Sequence, residues 1–412
     1  MIALIDCNNF FVSCERVFNP KLNNKPVIVT SGNGGCVIAR SNEAKALGIP
    51  MGEPLFKIKN ILKKDKVHIL SSNHELYHDL SNRIFNIIQE MFPFIDVYSI
   101  DEAFIDLKGV NDIFYSLHTL QEKILKGVGI PTTIGIATTK TLAKVTNNYA
   151  KKRGTPLLQI TDFHKNFILQ NLKVEDIWGI GKNTSLKLKS LGIVDALSLM
   201  QQDPKKMRKI CSIITERTVL ELRGISTLDL NDIKHTQKSI QHSRSFVEQI
   251  KDKNTFFSIF SSFIEELSKK LREGDLKTKS ILIYAKSSPF LLPIHIESKT
   301  ILLPFSLSDP IEIMKVLHDY IDSLFKENIN FKKIGVIFND LSKEEHNQTF
   351  FLFKTPLQNN ETLLKAVDAI NQKFGKRSIH LSSSMFLQKQ EELPINKSQN
   401  FTTSWNDLLK VG

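Results

Sequence analysis

The hydrophobic pattern near the N-terminus predicts buried strands that end on carboxylates. The apolar run Ile2–Ile5 is typical of a buried strand, and Asp6 follows it directly. Residues 95–107 contain two short β-rich runs that meet at Asp101-Glu102. Residues 21–75, which lie between these strands, carry several helical stretches bounded by prolines. The pattern therefore predicts one sheet-containing domain with an inserted helical patch.

Later segments alternate between helical and extended patterns. Residues 140–152 predict a helix, and residues 165–224 predict a second helical unit. Residues 239–338 read strand, helix, strand, strand, helix, strand, and this βαββαβ order predicts a ferredoxin-like plait of about a hundred residues. The segment 225–238 lacks periodicity and is the predicted linker. Beyond the plait, one tail helix is predicted at Glu361–Phe374.

Composition and charge add a prediction about the binding partner. The 412 residues carry 55 Lys and Arg against 43 Asp and Glu, a formal charge of +12, and 41% of them are hydrophobic. Such a composition builds folded cores, so disordered and fibrous classes are excluded. Residues 1–139 hold 14 basic and 14 acidic side chains, whereas residues 140–231 hold 16 basic and 8 acidic ones. This asymmetry predicts chemistry in the balanced segment and a nucleic-acid contact in the basic one.

The sequence also predicts a protein of the cytoplasm. No apolar run approaches the ~20 residues that span a bilayer, and the first residues lack the basic region of a signal peptide. The four cysteines form no CxxC pair and no zinc-ligand spacing, so reduced thiols are expected.

Three carboxylates stand where strands end, and they are the first candidate for chemistry. Asp6, Asp101 and Glu102 would meet if their strands are neighbours in one sheet. Mg²⁺ prefers oxygen ligands, and two such ions can clamp the attacking and leaving oxygens of a phosphoryl displacement. A strand-end cap and a solvated turn would explain the same residues without any function. Spacing alone leaves both readings open.

The helix predicted at 140–152 carries a stripe of lysines. Lys140, Lys144 and Lys151 fall on one side, and Leu142 and Val145 fall on the opposite side. Such a row suits anionic oxygens, and Lys140 and Lys144 are candidate DNA contacts. An ordinary surface helix has the same appearance, so both readings stand.

A second candidate anion site lies in the inserted patch. Ser41 or Asn42 could cap a short helix that stops at Gly48. Arg40 and Lys45 would then lie beside the positive end of that helix, where a triphosphate could bind. A plain capped helix is the alternative.

A glycine turn in the basic segment predicts a phosphate contact. Gly179-Ile180-Gly181 precedes leucines at helical spacing and the helix stop Gly192, which is typical of a helix-hairpin-helix. Glycines let backbone N–H groups approach a DNA phosphate, and the following helix adds its dipole. Gly179, Gly181 and Lys182 are therefore candidate DNA contacts.

Five motifs occur together and in order along the chain: MIALIDCNNFFVSCERVF, CVIARSNEAKALGIPMGEP, YSIDEAFIDL, IGIATTKTLAKVTNNYAKK and WGIGKNTSLKLKSLGI. With them the chain resembles the UmuC type of Y-family translesion DNA polymerases over nearly its whole length. The resemblance implies an α+β right hand with a ferredoxin-like palm, small fingers, a helix-hairpin-helix thumb, a βαββαβ little finger and a C-terminal extension. The implied palm is 1–20 with 76–165, and the implied fingers are 21–75. The implied thumb is 166–231, the little finger is 239–345, and the extension is 346–412.

The resemblance also assigns roles to individual residues. It implies that two Mg²⁺ ions are held by the carboxylates of Asp6, Asp101 and Glu102. The backbone carbonyl of Cys7 is an implied additional ligand. The positions that contact the incoming triphosphate in similar polymerases are matched by Phe10, Arg40, Lys45 and Lys151.

Phe11 matches the steric gate, an aromatic ring beneath the sugar that excludes a ribose 2′-hydroxyl. UmuC-type proteins commonly carry Tyr there, so Phe keeps the ring and loses the hydroxyl. Without the resemblance, a core aromatic residue after a strand is a plausible alternative for Phe11.

The implied function is low-fidelity translesion synthesis in the SOS response to DNA damage. The implied partners are primer-template DNA, deoxynucleoside triphosphates, a processed UmuD dimer, a RecA filament and the sliding clamp. Gln348–Phe353 looks like a clamp-binding peptide with Gln348, Phe351, Leu352 and Phe353 as candidate contacts, although a last little-finger strand explains it equally well. Thr402–Trp405 lies where UmuC-type proteins have a similar motif.

Two other functions stay open at this stage. A DNA-binding accessory protein with a purely structural palm would explain the glycine turn and the basic segment. A nucleotide cyclase on a similar palm would explain the carboxylates but not the thumb or the tail. Dependence of nucleotide turnover on DNA and metal separates the three functions.

Overall fold

A computed structural model describes residues 1–32, 35–228, 237–290, 292–343, 360–375, 377–389 and 396–408. The strands are β1 (Ile2–Cys7), β2 (Val27–Thr30), β3 (Val37–Arg40), β4 (His68–Ser71), β5 (Ile95–Val97), β6 (Glu102–Asp106), β7 (Thr132–Ala137), β8 (Leu157–Gln159), β9 (Ser239–Ile250), β10 (Leu276–Ser287), β11 (Ile296–Leu307) and β12 (Phe331–Lys343). The helices are α1 (Phe10–Phe18), α2 (Asn42–Ala46), α3 (Lys59–Lys64), α4 (His74–Met91), α5 (Ile113–Val128), α6 (Lys140–Arg153), α7 (Asp162–Gln170), α8 (Lys182–Ser190), α9 (Ala196–Met200), α10 (Pro204–Ile210), α11 (Ile213–Arg223), α12 (Lys253–Glu273), α13 (Pro310–Leu324) and α14 (Glu361–Phe374). The chain forms two compact units, Met1–Ile233 with Pro394–Gly412, and Lys234–Leu393.

The first unit is built on a five-stranded sheet with the order β5-β6-β1-β7-β8. Both faces are covered, which explains why β1 is buried along its whole length and reads as a continuous apolar run. Ala3 and Ile5 face a core that contains residues of α1, α4 and α5. Ile2 and Leu4 face a second core that contains residues of α6 and of the helices after it. Because side chains alternate along a strand, Asp6 points to the α6 side.

Helix α6 lies directly on β7 because a glycine makes room for it. A Cβ built on Gly135 would lie 2.5 Å from the carbonyl oxygen of Ala143 and would also meet the backbone nitrogen of Asn147. The Asn147 amide donates to the Thr133 carbonyl (2.7 Å) and the Leu4 carbonyl (3.3 Å), which ties the helix to two strands. The sheet thus fixes where the lysines of α6 can reach.

The inserted patch at residues 21–75 contains a three-stranded sheet with the order β3-β2-β4. The hydrophobic pattern predicted its helical stretches, and α2 begins after Ser41 and ends before Gly48 as expected. It did not predict the strands. They have four residues each, which is too short for a clear alternation, and β2 pairs in parallel with β4 across a long connection.

The helical region after α6 contains the predicted glycine turn. Gly179 has a φ of +88°, which L-residues rarely adopt, and Gly181 is the N-cap of α8. The element before the turn is a 3-10 helix of three residues, Val174–Asp176, and not a full α-helix. The turn is followed by α8 (Lys182–Ser190) but is preceded by only one 3-10 turn, so the helix-hairpin-helix stays a prediction.

The second unit confirms the βαββαβ order. Its four strands form an antiparallel sheet with the order β11-β10-β12-β9, and α12 and α13 contribute to its hydrophobic core. The tail helix forms as α14 with the predicted bounds, and Arg272 of α12 holds Asp368 of α14 through two hydrogen bonds of 2.9 Å.

The extension predicted at 346–412 is divided between the units. Residues 360–375 and 377–389 belong to the second unit, whereas residues 396–408 belong to the first. Gln348–Phe353 lies outside the described residues, so its clamp-binding role stays a prediction. In the described part of the chain, no helix is long and apolar enough to cross a bilayer.

Candidate active site

Two of the three candidate carboxylates face each other across neighbouring strands. β1 pairs with β6 in antiparallel register, and Asp6 lies opposite Glu102. Asp101 comes one position before β6, where its carbonyl oxygen accepts from the Cys7 N–H (2.9 Å) and its carboxylate accepts from the Ser99 hydroxyl (2.6 Å). The predicted meeting of these strand ends is confirmed.

The pKa values of Cys7 and Asp6 show that acidic groups lie close together at this site. Burial raises the pKa of the Cys7 thiol, and the nearby charges of Asp6, Asp101 and Glu102 raise it further. Burial also raises the pKa of Asp6 to about 7, although the adjacent Lys151 opposes this effect. The region is therefore one in which an added positive charge is stabilising.

Lysines of α6 supply positive charge to this site. Lys151 forms an ion pair with Asp6, and the Lys144 ammonium lies 3.0 Å from Glu102. Within the described residues, no group of three or more His, Cys, Asp or Glu side chains is already arranged to hold a metal ion. The donor set nevertheless fits Mg²⁺, because the carboxylates are close together, partly desolvated and balanced by ammonium groups that a cation could replace.

The rest of the predicted lysine stripe also turns toward the protein. Lys140 is only 6% exposed and donates to Asp96 (2.9 Å). Lys144 lies over the Tyr98 ring at 4.2 Å and near the Trp178 ring at 5.3 Å. The stripe exists, but a DNA contact through the buried Lys140 has no support in this arrangement. The DNA contact of Lys144 stays a prediction.

A second group of cations lies beside the carboxylates. The Lys45 ammonium donates to the Asn9 side chain (2.6 Å), and Asn9 adopts a left-handed conformation (φ 47°) just before α1. Burial lowers the pKa of Lys45, and the positive charges of Lys151 and Arg40 lower it further. The three cations are therefore close enough to repel one another, which makes this a site that an anion would stabilise.

Arg40 is held from within the inserted patch. Its guanidinium donates to the carbonyl of Ile49, and its Nε atom is buried with no hydrogen-bond partner among the described residues. Its predicted contact with a triphosphate stays a prediction.

The predicted steric gate lies in an aromatic stack. Phe11 stacks on Tyr77 with ring centroids 4.4 Å apart and planes 15° apart, and His74 meets it edge-on at 5.8 Å. Phe10 is 3% exposed and packs in the core of the palm sheet, so its predicted nucleotide contact has no support from the position of its ring. Tyr77 was not named as a site residue from the sequence, because a buried aromatic residue in a helix carries no signal beyond core packing.

A cavity of about 320 Å³ connects the carboxylates with the start of the helical region. Asp6, Glu102, Lys144 and Lys151 line it together with Trp178 and other residues. The Trp178 indole N–H donates to the Tyr98 hydroxyl (2.9 Å). Neither aromatic residue was given a role from the sequence, although each begins one of the motifs that carry the resemblance, Tyr98 in YSIDEAFIDL and Trp178 in WGIGKNTSLKLKSLGI.

The glycine turn reaches this cavity through Trp178, and Lys182 is the first residue of α8. The positive φ of Gly179 and the N-cap position of Gly181 agree with a turn that exposes backbone N–H groups. DNA contacts by Gly179, Gly181 and Lys182 stay predictions.

Comparison with solved structures shows the fold. The chain has the fold of a Y-family DNA polymerase chimera of Dbh and Dpo4, with a TM-score of 0.69, 24% identity and coverage of 83% of this chain and 100% of that one. Comparison of sequences then gives the family. The impB/mucB/samB family matches residues 5–148, its C-terminal domain matches residues 237–350, and a domain of unknown function (DUF4113) matches residues 361–411.

Three relatives match most or all of the chain. Protein UmuC of Salmonella typhimurium is 36% identical over 100% of both chains, and Protein ImpB of the same species is 36% identical over 99% of both. DNA polymerase IV of Oceanobacillus iheyensis is 25% identical over 92% of this chain and 90% of its own. The chain belongs to the impB/mucB/samB family, and the resemblance to the UmuC type is confirmed.

Proposed function

We propose that the chain is a DNA-directed DNA polymerase that performs low-fidelity translesion synthesis by two-metal nucleotidyl transfer. The observation that carries this proposal is the pairing of Asp6 with Glu102 beside a cluster of three cations. The carboxylates suit metal ions, and the cations suit a triphosphate. A nucleotide and a primer end bound between them would meet the chemistry that each group provides.

The residues of the site would divide the work of the reaction. Asp6, Asp101 and Glu102, with the Cys7 carbonyl, would hold two Mg²⁺ ions, which stabilise the attacking primer 3′-oxygen and the departing pyrophosphate. Lys45 would contact the phosphates through its ammonium group. Lys151 neutralises Asp6 in this structure, so its contact with a triphosphate requires that ion pair to open.

The pocket beneath the sugar would set the choice of nucleotide. Phe11 has no hydroxyl, so exclusion of a ribose 2′-OH would depend on where its ring is held. Tyr77 and His74 hold it by stacking and by an edge contact. The Phe11 ring would thus act as the gate through position alone.

We infer the macromolecular partners from membership in the family. Primer-template DNA would bind along the basic segment at residues 140–231, which contains the thumb and holds 16 Lys and Arg against 8 Asp and Glu. A processed UmuD dimer, a RecA filament and the sliding clamp would act with the polymerase in the SOS response. The clamp contact would use the segment around Gln348.

Primer extension past a single abasic site tests the proposed function. The full chain is incubated with Mg²⁺, deoxynucleotides and primer-template DNA, with and without the proposed protein partners. We expect template-dependent extension past the lesion. Turnover of nucleotides without DNA would favour a cyclase, and DNA binding with no extension under any of these conditions would favour an accessory protein.

The cation cluster gives a prediction for nucleotide affinity. Lys45→Met removes a charge from the proposed triphosphate site, so we expect KM for the incoming deoxynucleotide to rise about tenfold or more, the loss typical of a hydrogen bond to a charged group. Steady-state single-nucleotide insertion measures this change. Lys63→Met, the same substitution at an exposed position of the inserted patch, is the matched control. An equal KM for both variants would contradict the assignment of Lys45.

A further inference from the structure

The C-terminal strap, defined as residues 396–408, packs against the inserted patch and the first helix. The carbonyl of Asn396 accepts from the Ser71 N–H (3.1 Å), and Lys397 forms a parallel bridge with Ser71 at the edge strand β4. Phe401 stacks on Phe18 of α1, with ring centroids 4.8 Å apart and planes 14° apart. The strap therefore contacts both the patch and the helix that begins at the gate.

The strap also holds the start of α4. Asn73 is the N-cap of α4 and is fully buried, and its side-chain oxygen accepts from the Leu76 N–H (3.3 Å). Its amide nitrogen lies within 3.2 Å of three acceptors of the strap, the carbonyl and hydroxyl of Ser398 and the carbonyl of Gln399. The first turn of this helix carries His74 and Tyr77, the two side chains that contact Phe11.

A buried carboxylate links the strap to the gate. Glu15 is 3% exposed and accepts from the Tyr77 hydroxyl (2.7 Å) and from the Ser398 hydroxyl (3.1 Å). Burial raises the pKa of Glu15, and both hydroxyl groups oppose this effect by donating to the carboxylate. A buried carboxylate depends strongly on its partners, because each lost hydrogen bond leaves desolvated charge uncompensated.

We propose that the strap controls sugar selection by fixing the position of the gate, through the chain of contacts from Ser398 to Glu15 to Tyr77 to Phe11. Ser398, Glu15 and Tyr77 are positioning residues in this inference, which rests on the proposed function and on the gate role of Phe11. Loss of the Ser398 hydroxyl frees Glu15 to turn toward the adjoining cavity of about 490 Å³, which it lines with residues of the strap. Tyr77 then loses a fixed acceptor, and the Phe11 ring gains room to move away from a 2′-hydroxyl.

The test measures the ratio of kcat/KM for a deoxynucleotide to kcat/KM for the matching ribonucleotide. The full chain is assayed in primer extension with DNA, Mg²⁺ and the proposed partners. Ser398→Ala and Tyr77→Phe should each lower this ratio about fivefold, the factor expected for one hydrogen bond. The double variant should fall by about the same factor as either single variant, because both changes break one chain of contacts.

A matched control uses another strap contact that does not reach the gate. The Asn400 amide donates to the carboxylate of the exposed Glu75 (2.6 Å), so Asn400→Ala should leave the ratio unchanged. If Ser398→Ala fails to fold, Tyr77→Phe still tests the same hydrogen-bond chain while it keeps the ring. Thermal melting of each variant shows whether it is folded.

The outcomes distinguish this inference from the proposed function. Unchanged ratios in both single variants, with normal extension by the unaltered protein, overturn the role of the strap alone. Independent losses that multiply to about twenty-five-fold in the double variant also overturn it, because the contacts would then not act as one chain. No extension by the unaltered protein would overturn the proposed function and this inference with it.

Discussion

Asp101→Asn is expected to lower the single-turnover rate of primer extension by about a thousandfold or more. The substitution keeps the size of the side chain and removes a charge from the proposed metal site. Metal ions supply several kcal/mol of transition-state stabilisation in phosphoryl transfer, and each 1.4 kcal/mol corresponds to about tenfold in rate. The backbone contact between Asp101 and Cys7 does not involve the side chain, so the strand pairing should survive.

Asp106, the last residue of the strand that follows Asp101, provides the control for this prediction. The Asp106 carboxylate accepts from the Lys108 N–H (2.9 Å) at the far end of β6. Asp106→Asn should leave extension within about twofold of the unaltered rate, because surface changes of this kind are worth a few tenths of a kcal/mol. A rate for Asp101→Asn within tenfold of the control, at saturating Mg²⁺, would contradict the catalytic role of the carboxylate.

Gly135→Ala is expected to destabilise the first unit by about 3 kcal/mol, the upper end of the usual cost of overpacking a core. The added Cβ would lie 2.5 Å from the carbonyl oxygen of Ala143, which belongs to the helix backbone and cannot move as a side chain can. Relief of the clash requires α6 to shift, and this shift would carry Lys144 and Lys151 away from the carboxylates. We therefore expect a lower free energy of unfolding in urea and a loss of extension activity at temperatures where the variant is still folded.

Gly181→Ala is the matched control for the Gly135 variant. Among the described residues, a Cβ on Gly181 would meet no atom within 4 Å, and its φ is not in the left-handed region. Because Ala is a poorer N-cap than Gly, the free energy of unfolding of this variant should fall by no more than about 1 kcal/mol. Equal stability of the two variants would show that α6 does not depend on close contact with β7.

The carboxylate site could be predicted from the sequence because it depends on local patterns. A continuous apolar run marked β1, and a short β-rich run marked β6, so the ends of two strands carried Asp6 and Glu102. The prediction needed one non-local assumption, which was that these two strands are neighbours in one sheet. The βαββαβ order of the second unit was likewise visible, because each element is long enough to show its period.

The partners of the lysines could not be predicted, because they depend on how closely α6 approaches the sheet. Helical periodicity placed Lys140, Lys144 and Lys151 on one stripe but did not say what the stripe faces. The approach depends on Gly135, a single residue in a strand whose neighbours show no special pattern. The three ion pairs with acidic side chains follow from that packing.

The C-terminal strap was missed for a different physical reason. Hydrophobic periodicity detects elements that bury one apolar face, and the strap is held mainly by hydrogen bonds to Ser71, Asn73 and Glu15. Its one clear apolar anchor is the stack of Phe401 on Phe18. A polar segment with a single aromatic residue has the same pattern as a tail without structure.

The return of the strap to the first unit sets an order for folding during synthesis. Met1–Ile233 leaves the ribosome well before residue 396, and at 5–20 residues per second the delay is on the order of ten seconds. During that time the strap partners of Asn73 and Glu15 have not yet been made, and the whole of Lys234–Leu393 is synthesised. The first unit would therefore be completed only after the second unit has been translated. A nascent chain could bind DNA before its nucleotide pocket had reached its final selectivity.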